Sequence, residues 1–293
     1  MDSSFRSGFV AIIGRPNTGK STFLNRVLGE KLSITSPKPQ TTRYAIKGIL
    51  NRPDLQIVFI DTPGFLKPRY EMQTRMLKIW SDAFKNVDLV LFITDLKDFP
   101  TEYDHEVLEI LNKSRAHQIA VFNKLDLRPE IDREALKALL PASVDEAHFI
   151  SSVTGENLDA LMQSIINFVP YHDPYYEADQ LSDLPTRFFA TEVIREGIFH
   201  IFEQEIPYST AVVIEKYTEL PDEVVVEAQI WLERQSQKLI VVGRKGDGLR
   251  KIREYAEAQL SAFLDQPVRV HLWVKIVPNW RKKNSSLREL GFG

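Results

Sequence analysis

The 293-residue chain contains no cysteine. That excludes disulfides and thiolate metal sites, and it fits a reducing compartment. Histidine is sparse as well, and the six present are scattered without metal-ligand spacing. No apolar run approaches the roughly 18 residues of a membrane span. No signal-peptide pattern precedes the first strand-like run at Phe9. Neither sign of charge dominates, since 37 Lys and Arg against 40 Asp and Glu leave a net charge of −3. Internal repeats and low-complexity stretches are also missing. The expectation is a soluble, cytoplasmic protein.

What is present is ordinary in amount: 43% hydrophobic and 26% charged residues, as in a globular protein. The length suggests two domains, each able to bury its own core. The small net charge hides an asymmetry, because Arg234 to Arg288 holds 13 Lys and Arg against 4 Asp and Glu. Such a region suits a polyanion partner or simply a solvated helix face.

Short apolar runs alternate with helical patterns over the first half. Phe9–Ile13, Leu55–Ile60, Leu89–Thr94 and Ile119–Phe122 read as buried strands. Gln73–Phe84, Glu102–Leu111 and Leu158–Phe168 read as helices, and Tyr44–Leu50 as an added edge strand. This alternation predicts an α/β domain, residues 1–170, with a mostly parallel sheet covered on both faces. Residues 171–185 are rich in proline, aspartate and tyrosine without periodicity, and read as a linker. Residues 186–293 then follow the order α-β-β-α-α-β, a smaller α+β domain with a basic tail. Its helices are expected at Arg187–Phe202, Lys238–Val242 and Leu249–Phe263, its strands at Thr210–Tyr217, Glu223–Leu232 and Val268–Val277.

Gly14-Arg15-Pro16-Asn17-Thr18-Gly19-Lys20-Ser21 matches G-x-x-x-x-G-K-[ST] between a strand and a helix. Glycines let backbone N–H groups close around phosphates, and the helix N-terminus adds a favourable dipole. Lys20 is placed to reach the β- and γ-phosphates, Ser21 to bind Mg²⁺, and Thr22 continues the cradle. Asp61-Thr62-Pro63-Gly64 follows a buried strand; Asp61 can hold Mg²⁺ through water and the Gly64 N–H can sense the γ-phosphate. Asn123-Lys124-Leu125-Asp126 decides the base. The Asp126 carboxylate accepts from guanine N1–H and its amino group, donors that adenine lacks on that edge, so GTP and GDP are favoured. Asn123 would brace the base loops and the Lys124 stem would pack along the ring. Ser151, Ser152 and Val153 follow the last strand, where backbone N–H groups can meet guanine O6.

The four motifs, in this order and spacing, resemble the Ras-like fold of translation-factor-type GTPases. Pro16-Asn17 and Asp61-Thr62-Pro63-Gly64 are similar to the TrmE–Era branch, and Lys38-Pro39-Gln40-Thr41-Thr42-Arg43 resembles the switch I segment of Era-type members. The resemblance implies that Thr42 closes on Mg²⁺ and the γ-phosphate, so Asn17, Lys20, Thr42 and Gly64 are the candidate catalytic residues and Ser21, Thr42 and Asp61 the metal ligands. Phe65 stands where Ras-like enzymes carry a water-orienting glutamine, so intrinsic hydrolysis should be slow. The resemblance also implies a K⁺ ion at Asn17; a purely structural loop asparagine is the alternative.

In the second domain Gly243-Arg244-Lys245-Gly246 joins two helices, after a β-hairpin and before a strand. This is the arrangement of a type II KH domain, whose G-x-x-G loop clamps about four single-stranded nucleotides. Arg244, Lys245 and Lys251 are candidate phosphate contacts, and Ile240, Val241 and Leu249 are either groove or core. Trp280-Arg281-Lys282-Lys283 offers stacking and phosphate contact, or a surface helix. Asp247, directly after the loop, either caps the next helix or repels RNA. With Glu192-Val193-Ile194-Arg195-Glu196, Glu205-Ile206-Pro207-Tyr208-Ser209 and Leu272-Trp273-Val274-Lys275, the resemblance to Era-type GTPases covers nearly the whole chain. It implies a monomeric switch in small ribosomal subunit assembly that binds the 3′ end of small-subunit ribosomal RNA, not DNA, with peripheral affinity for the inner membrane face. The alternatives are a related GTPase serving another RNA and an RNA-binding switch with negligible hydrolysis of its own.

Overall fold

The structure, a computed structural model, describes residues 4–292, which divide into two compact units, 4–67 with 76–183, and 68–75 with 184–292. In the first unit, six strands form one sheet in the order β2-β3-β1-β4-β5-β6. They are β1 (Arg6–Ile13), β2 (Ile46–Arg52), β3 (Leu55–Asp61), β4 (Leu89–Asp95), β5 (His117–Asn123) and β6 (Glu146–Phe149). All neighbours are parallel except the β2–β3 hairpin. Between them run α1 (Lys20–Leu28), α2 (Glu71–Ala83), α3 (Glu102–Leu111), α4 (Arg133–Lys137) and α5 (Leu158–Phe168).

Strand alternation sends successive side chains to opposite faces. Val10 and Ile12 join Phe23 and Leu24 of α1 and Leu161 and Ile165 of α5 in one core. Ala11 and Ile13 join Trp80 of α2 and Val107 and Leu111 of α3 in the other. Two buried faces explain why these strands read as continuous apolar runs. The expected edge strand is present as β2. Residues 171–183, read as a linker, run along it: Ile49 N–H donates to Leu181 O (2.9 Å), and the Lys47 ammonium meets Asp183 (2.6 Å).

The second unit contains α6 (Thr186–Ile201), α7 (Ile206–Ser209), β7 (Ala211–Glu219), β8 (Val224–Leu232), α8 (Gln235–Val242), α9 (Asp247–Leu264), β9 (Val268–Ile276) and α10 (Asn284–Glu289). Its sheet runs β7-β8-β9, with an antiparallel hairpin and then a parallel pairing. Ala190, Ile194 and Ile198 of α6 and Ile252, Ala256 and Leu260 of α9 close one face against Val212, Val226 and Val270. Within α6, Glu192 and Arg195 are buried as an ion pair, and Glu196 is buried beside them. Residues 68–75 belong to this unit: Arg75 donates to Asn284 Oδ1 (2.9 Å), and the Arg281 guanidinium lies 5.0 Å from the Tyr70 ring centre.

Candidate functional site

Gly14 to Gly19 leave the end of β1 and turn into α1. Two of these positions demand glycine. A Cβ on Gly14 (φ +147°) would lie 2.1 Å from Ile93 O, and one on Gly19 (φ +96°) 2.2 Å from Asn123 Nδ2. The loop therefore sits directly against the ends of β4 and β5. Lys20 is buried and folded back, donating to Arg15 O (2.8 Å) and Gly14 O (3.3 Å). Burial pulls its pKa down to about 8, against a counter-pull from Asp61 and with a further push from Arg15. Thr18 is buried, with its hydroxyl on Arg15 O (3.2 Å), and Thr22 lies in the first turn of α1.

The base-reading residues meet this loop. Asn123 donates to Thr18 O (2.8 Å) and accepts from the Ser152 N–H (2.9 Å) and hydroxyl (3.0 Å). It thus braces both loops, as its motif suggests. Lys124 donates to Asn17 O (2.7 Å) and Asp95 (3.1 Å). The Ser151 hydroxyl donates to Asp126 Oδ1 at 2.5 Å, which orients the carboxylate that would face guanine. The structure gives Ser151 and Ser152 a role other than the one expected. Their N–H groups donate to Glu156 O and Asn123 Oδ1, so they support Asp126 and Asn123, while Val153 is exposed.

The three expected metal ligands converge. Ser21 Oγ donates to Asp61 Oδ2 (2.6 Å) and lies 3.0 Å from Thr42 Oγ1. Burial raises the Asp61 pKa, while the Ser21 bond and the Lys20 charge pull it back. Asp61 Oδ1 is buried without a protein hydrogen-bond partner. Hard oxygen donors around such an atom fit a small divalent cation such as Mg²⁺. Thr62 anchors the strand end through Ile12 O (2.7 Å). Beyond Pro63, Gly64 packs so closely on Pro16 that a Cβ would come within 2.5 Å of its nitrogen. Phe65 turns its ring into an apolar pocket 4.9 Å from Trp80, and its N–H donates to Gly14 O (2.9 Å). Asn17, with φ +64°, donates from Nδ2 to Pro37 O (2.7 Å), just before the switch-like segment.

In the second unit the G-x-x-G loop is a single tight turn between α8 and α9. Gly243 and Gly246 have positive φ, and a Cβ on Gly243 would stand 2.8 Å from Gly248 N. Arg244 and Lys245 project into solvent. On α8, Val241 is core, whereas Ile240 is 51% and its neighbour Leu239 72% exposed. Leu239 is an apolar surface the sequence reading passed over; its signal was the unbroken run Leu239–Val242 in a short helix.

Comparison with known proteins adds to this geometry. Residues 9–124 match the family model described as 50S ribosome-binding GTPase, and residues 205–281 match the KH domain model. The GTPase Era of Geotalea uraniireducens is 40% identical over 297 residues, covering 99% of each chain. That of Thermotoga maritima is 41% identical over 293 residues, covering 98% of each. The chain belongs to the Era family of GTPases. Two solved Era structures match over 99% of this chain. A single-residue variant of Aquifex aeolicus Era bound to GDP·AlF4⁻ matches with TM-score 0.93 at 34% identity, over all of that chain. Era in complex with MgGDPNP and nucleotides 1506–1542 of 16S ribosomal RNA matches with TM-score 0.92 at 35%, over 99% of that chain.

In the second unit, three positions depart from the roles the sequence suggested. Trp280 is not a stacking surface: its ring is wholly buried and its Nε1 donates to Ser209 O (2.9 Å). The Ile206–Ser209 turn supplies the acceptor that lets this indole N–H be buried. Arg281 is paired with Glu233, leaving Lys282 and Lys283 as the exposed cations of that segment. Asp247 opens α9 but does not cap it; its carboxylate pairs with Lys251 (2.8 Å) and Arg250. Hydrogen bonds from those two cations hold its pKa below the usual range. Asp247 thus neutralises one of the expected phosphate contacts, Lys251. Asp247→Asn is expected to tighten RNA binding several-fold and to steepen its salt dependence by about one phosphate contact. Filter-binding titrations at two salt concentrations check this.

Proposed function

We propose that this chain is a GTP-hydrolysing switch that binds the single-stranded 3′ end of small-subunit ribosomal RNA and acts in small-subunit assembly. The observation that carries the reading is the match, over nearly the whole of both chains, to an Era structure that holds MgGDPNP and a 16S RNA 3′ segment. It is supported by the exposed Arg244 and Lys245 on the G-x-x-G turn and by the Ser21, Thr42 and Asp61 oxygens.

Mg²⁺, held by Ser21 and Thr42 and through water by Asp61, would neutralise charge on the β- and γ-phosphates. Lys20 would supply a second positive charge, and the backbone N–H groups from Asn17 to Thr22 would cradle the phosphates. Gly64, pressed against Pro16, would present its N–H to the γ-phosphate. No side chain at position 65 orients water, because the Phe65 ring lies buried against Trp80. The unaided rate is therefore expected to be slow. In this reading Asn17 would help hold a K⁺ ion, which would offset negative charge in the transition state. A monomer in the cytoplasm, with peripheral contact to the inner membrane face, completes the reading on the family resemblance alone.

The test is binding of a 16S 3′-end oligonucleotide, with a large-subunit RNA fragment and the matching DNA as competitors. The double variant Arg244→Ala/Lys245→Ala is expected to weaken binding by about 10-fold or more and to lower the salt slope by about 1.4, the share of two phosphate contacts on a single strand. Equal affinity for the large-subunit fragment would overturn the small-subunit assignment.

A further inference from the structure

Asp95 ends β4, outside every nucleotide-binding motif of the sequence, yet it joins two of them. Its Oδ1 accepts from Arg15 Nη2 of the phosphate loop (2.9 Å), and its Oδ2 from Lys124 Nζ of the base loop (3.1 Å). Lys124 in turn reaches back to Asn17 O (2.7 Å), closing a circuit through the phosphate loop. Arg15 has a second anionic neighbour, Asp104, at 3.3 Å. Asp104 is wholly buried and triply tied, accepting from Thr94 Oγ1 (3.0 Å) and, in the capping box of α3, from Thr101 N–H (2.9 Å) and Oγ1 (2.7 Å). Asp104 therefore stands beside the guanidinium as a fixed negative charge that does not hydrogen-bond it, while Asp95 accepts its hydrogen bond.

Asp95 is 4% exposed, so water does little to screen these charges. Burial alone would raise its pKa, but the charges of Arg15 and Lys124 outweigh it and keep the carboxylate ionised. A buried anion shared by two cations from different loops sets the distance between those loops. We infer that Asp95 is a positioning residue for guanine nucleotides, holding the Arg15 and Lys124 side chains so that the phosphate loop and the base loop stand at their binding separation before the ligand arrives. Pre-organisation of this kind reduces what binding must spend on ordering the site. The inference rests on the reading of this site as a guanine-nucleotide site.

The experiment measures GDP affinity and release rate in the full chain for Asp95→Ala, Lys124→Ala, Arg15→Ala and the paired variants. Asp95→Ala is expected to weaken GDP by about 10-fold or more, chiefly through faster release. In the Lys124→Ala background the same substitution should cost less than about 3-fold, because the tie it breaks is already gone. Asp95→Asn, which keeps the volume and one acceptor, should fall between parent and Asp95→Ala. A substitution that merely loosened the fold would cost the same in both backgrounds, and equal losses would overturn the inference. So would unchanged GDP release in Asp95→Ala, and if that variant does not fold, parent-like release in Asp95→Asn. Failure of the unsubstituted protein to bind GDP would instead refute the nucleotide site itself.

Discussion

Asp126→Asn is expected to turn a guanine site into a xanthine site. The carboxylate is held by the Ser151 hydroxyl on Oδ1 (2.5 Å), which leaves its other oxygen to accept from the base. In the asparagine variant Ser151 would donate to the amide oxygen in the same way and direct the amide nitrogen at the ligand. Guanine presents donors there, so donor would face donor. Xanthine presents a carbonyl, which can accept. Unpaired buried donors are costly, so guanine affinity should fall on the order of 10³-fold or more, while xanthosine nucleotides gain. Competition between GDP and XDP for the variant measures this directly. A retained guanine preference would sink the assignment of Asp126. Adding Ser151→Ala should blunt the switch, since nothing then orients the amide.

That Ser151 matters in this way was only half legible in the sequence. Gly14 to Ser21, Asp61 to Gly64 and Asn123 to Asp126 could be found because each motif is contiguous and lies at the end of an apolar run. The strands carrying them are buried on both faces, so their continuous hydrophobicity marked them plainly. Contacts between distant segments left no such trace. Trp280 beside three cations looked like a surface for RNA, but its partner is a carbonyl 71 residues away, at Ser209. Asp95 and Asp104 matched no motif, because their partners Arg15, Thr94 and Lys124 become neighbours only when β4 lies beside β1 and β5. Residues 171–183 lacked periodicity, and composition made them a linker. Their hydrogen bonds to β2 and β3 involve side chains such as Lys47 and Gln56, which a loop sequence does not announce. The short α4 and α7 were missed for want of enough turns to show a period.

Lys20→Met should abolish tight GTP binding and yet leave the nucleotide-free protein no less stable than its parent. Removing one partner of a charged, buried interaction with phosphate costs about 2–5 kcal/mol, or roughly 30- to 4,000-fold in affinity. Stability should move the other way. With no phosphate present, the ammonium has only the carbonyls of Gly14 and Arg15 and the nearby Asp61 for company, and burial lowers its pKa from 10.5 to about 8. A shift of that size means that keeping the charge inside the fold at pH 7 costs on the order of 3 kcal/mol. A methionine stem fills the same space without a charge, so relief of this cost offsets the lost hydrogen bonds. The pH dependence carries the same sign. Between pH 8 and about 10 the unfolded chain still holds the lysine proton that the folded chain has released, so raising the pH favours the folded state. Denaturant titrations of the nucleotide-free parent across that window should therefore show rising stability, and the Lys20→Met variant should show a flatter curve. A variant that unfolds several degrees earlier at pH 7, or that keeps the parent's pH slope, would show that Lys20 is comfortable in the empty loop. The buried lysine would then owe its position to the protein alone and not to the phosphate it is placed to meet.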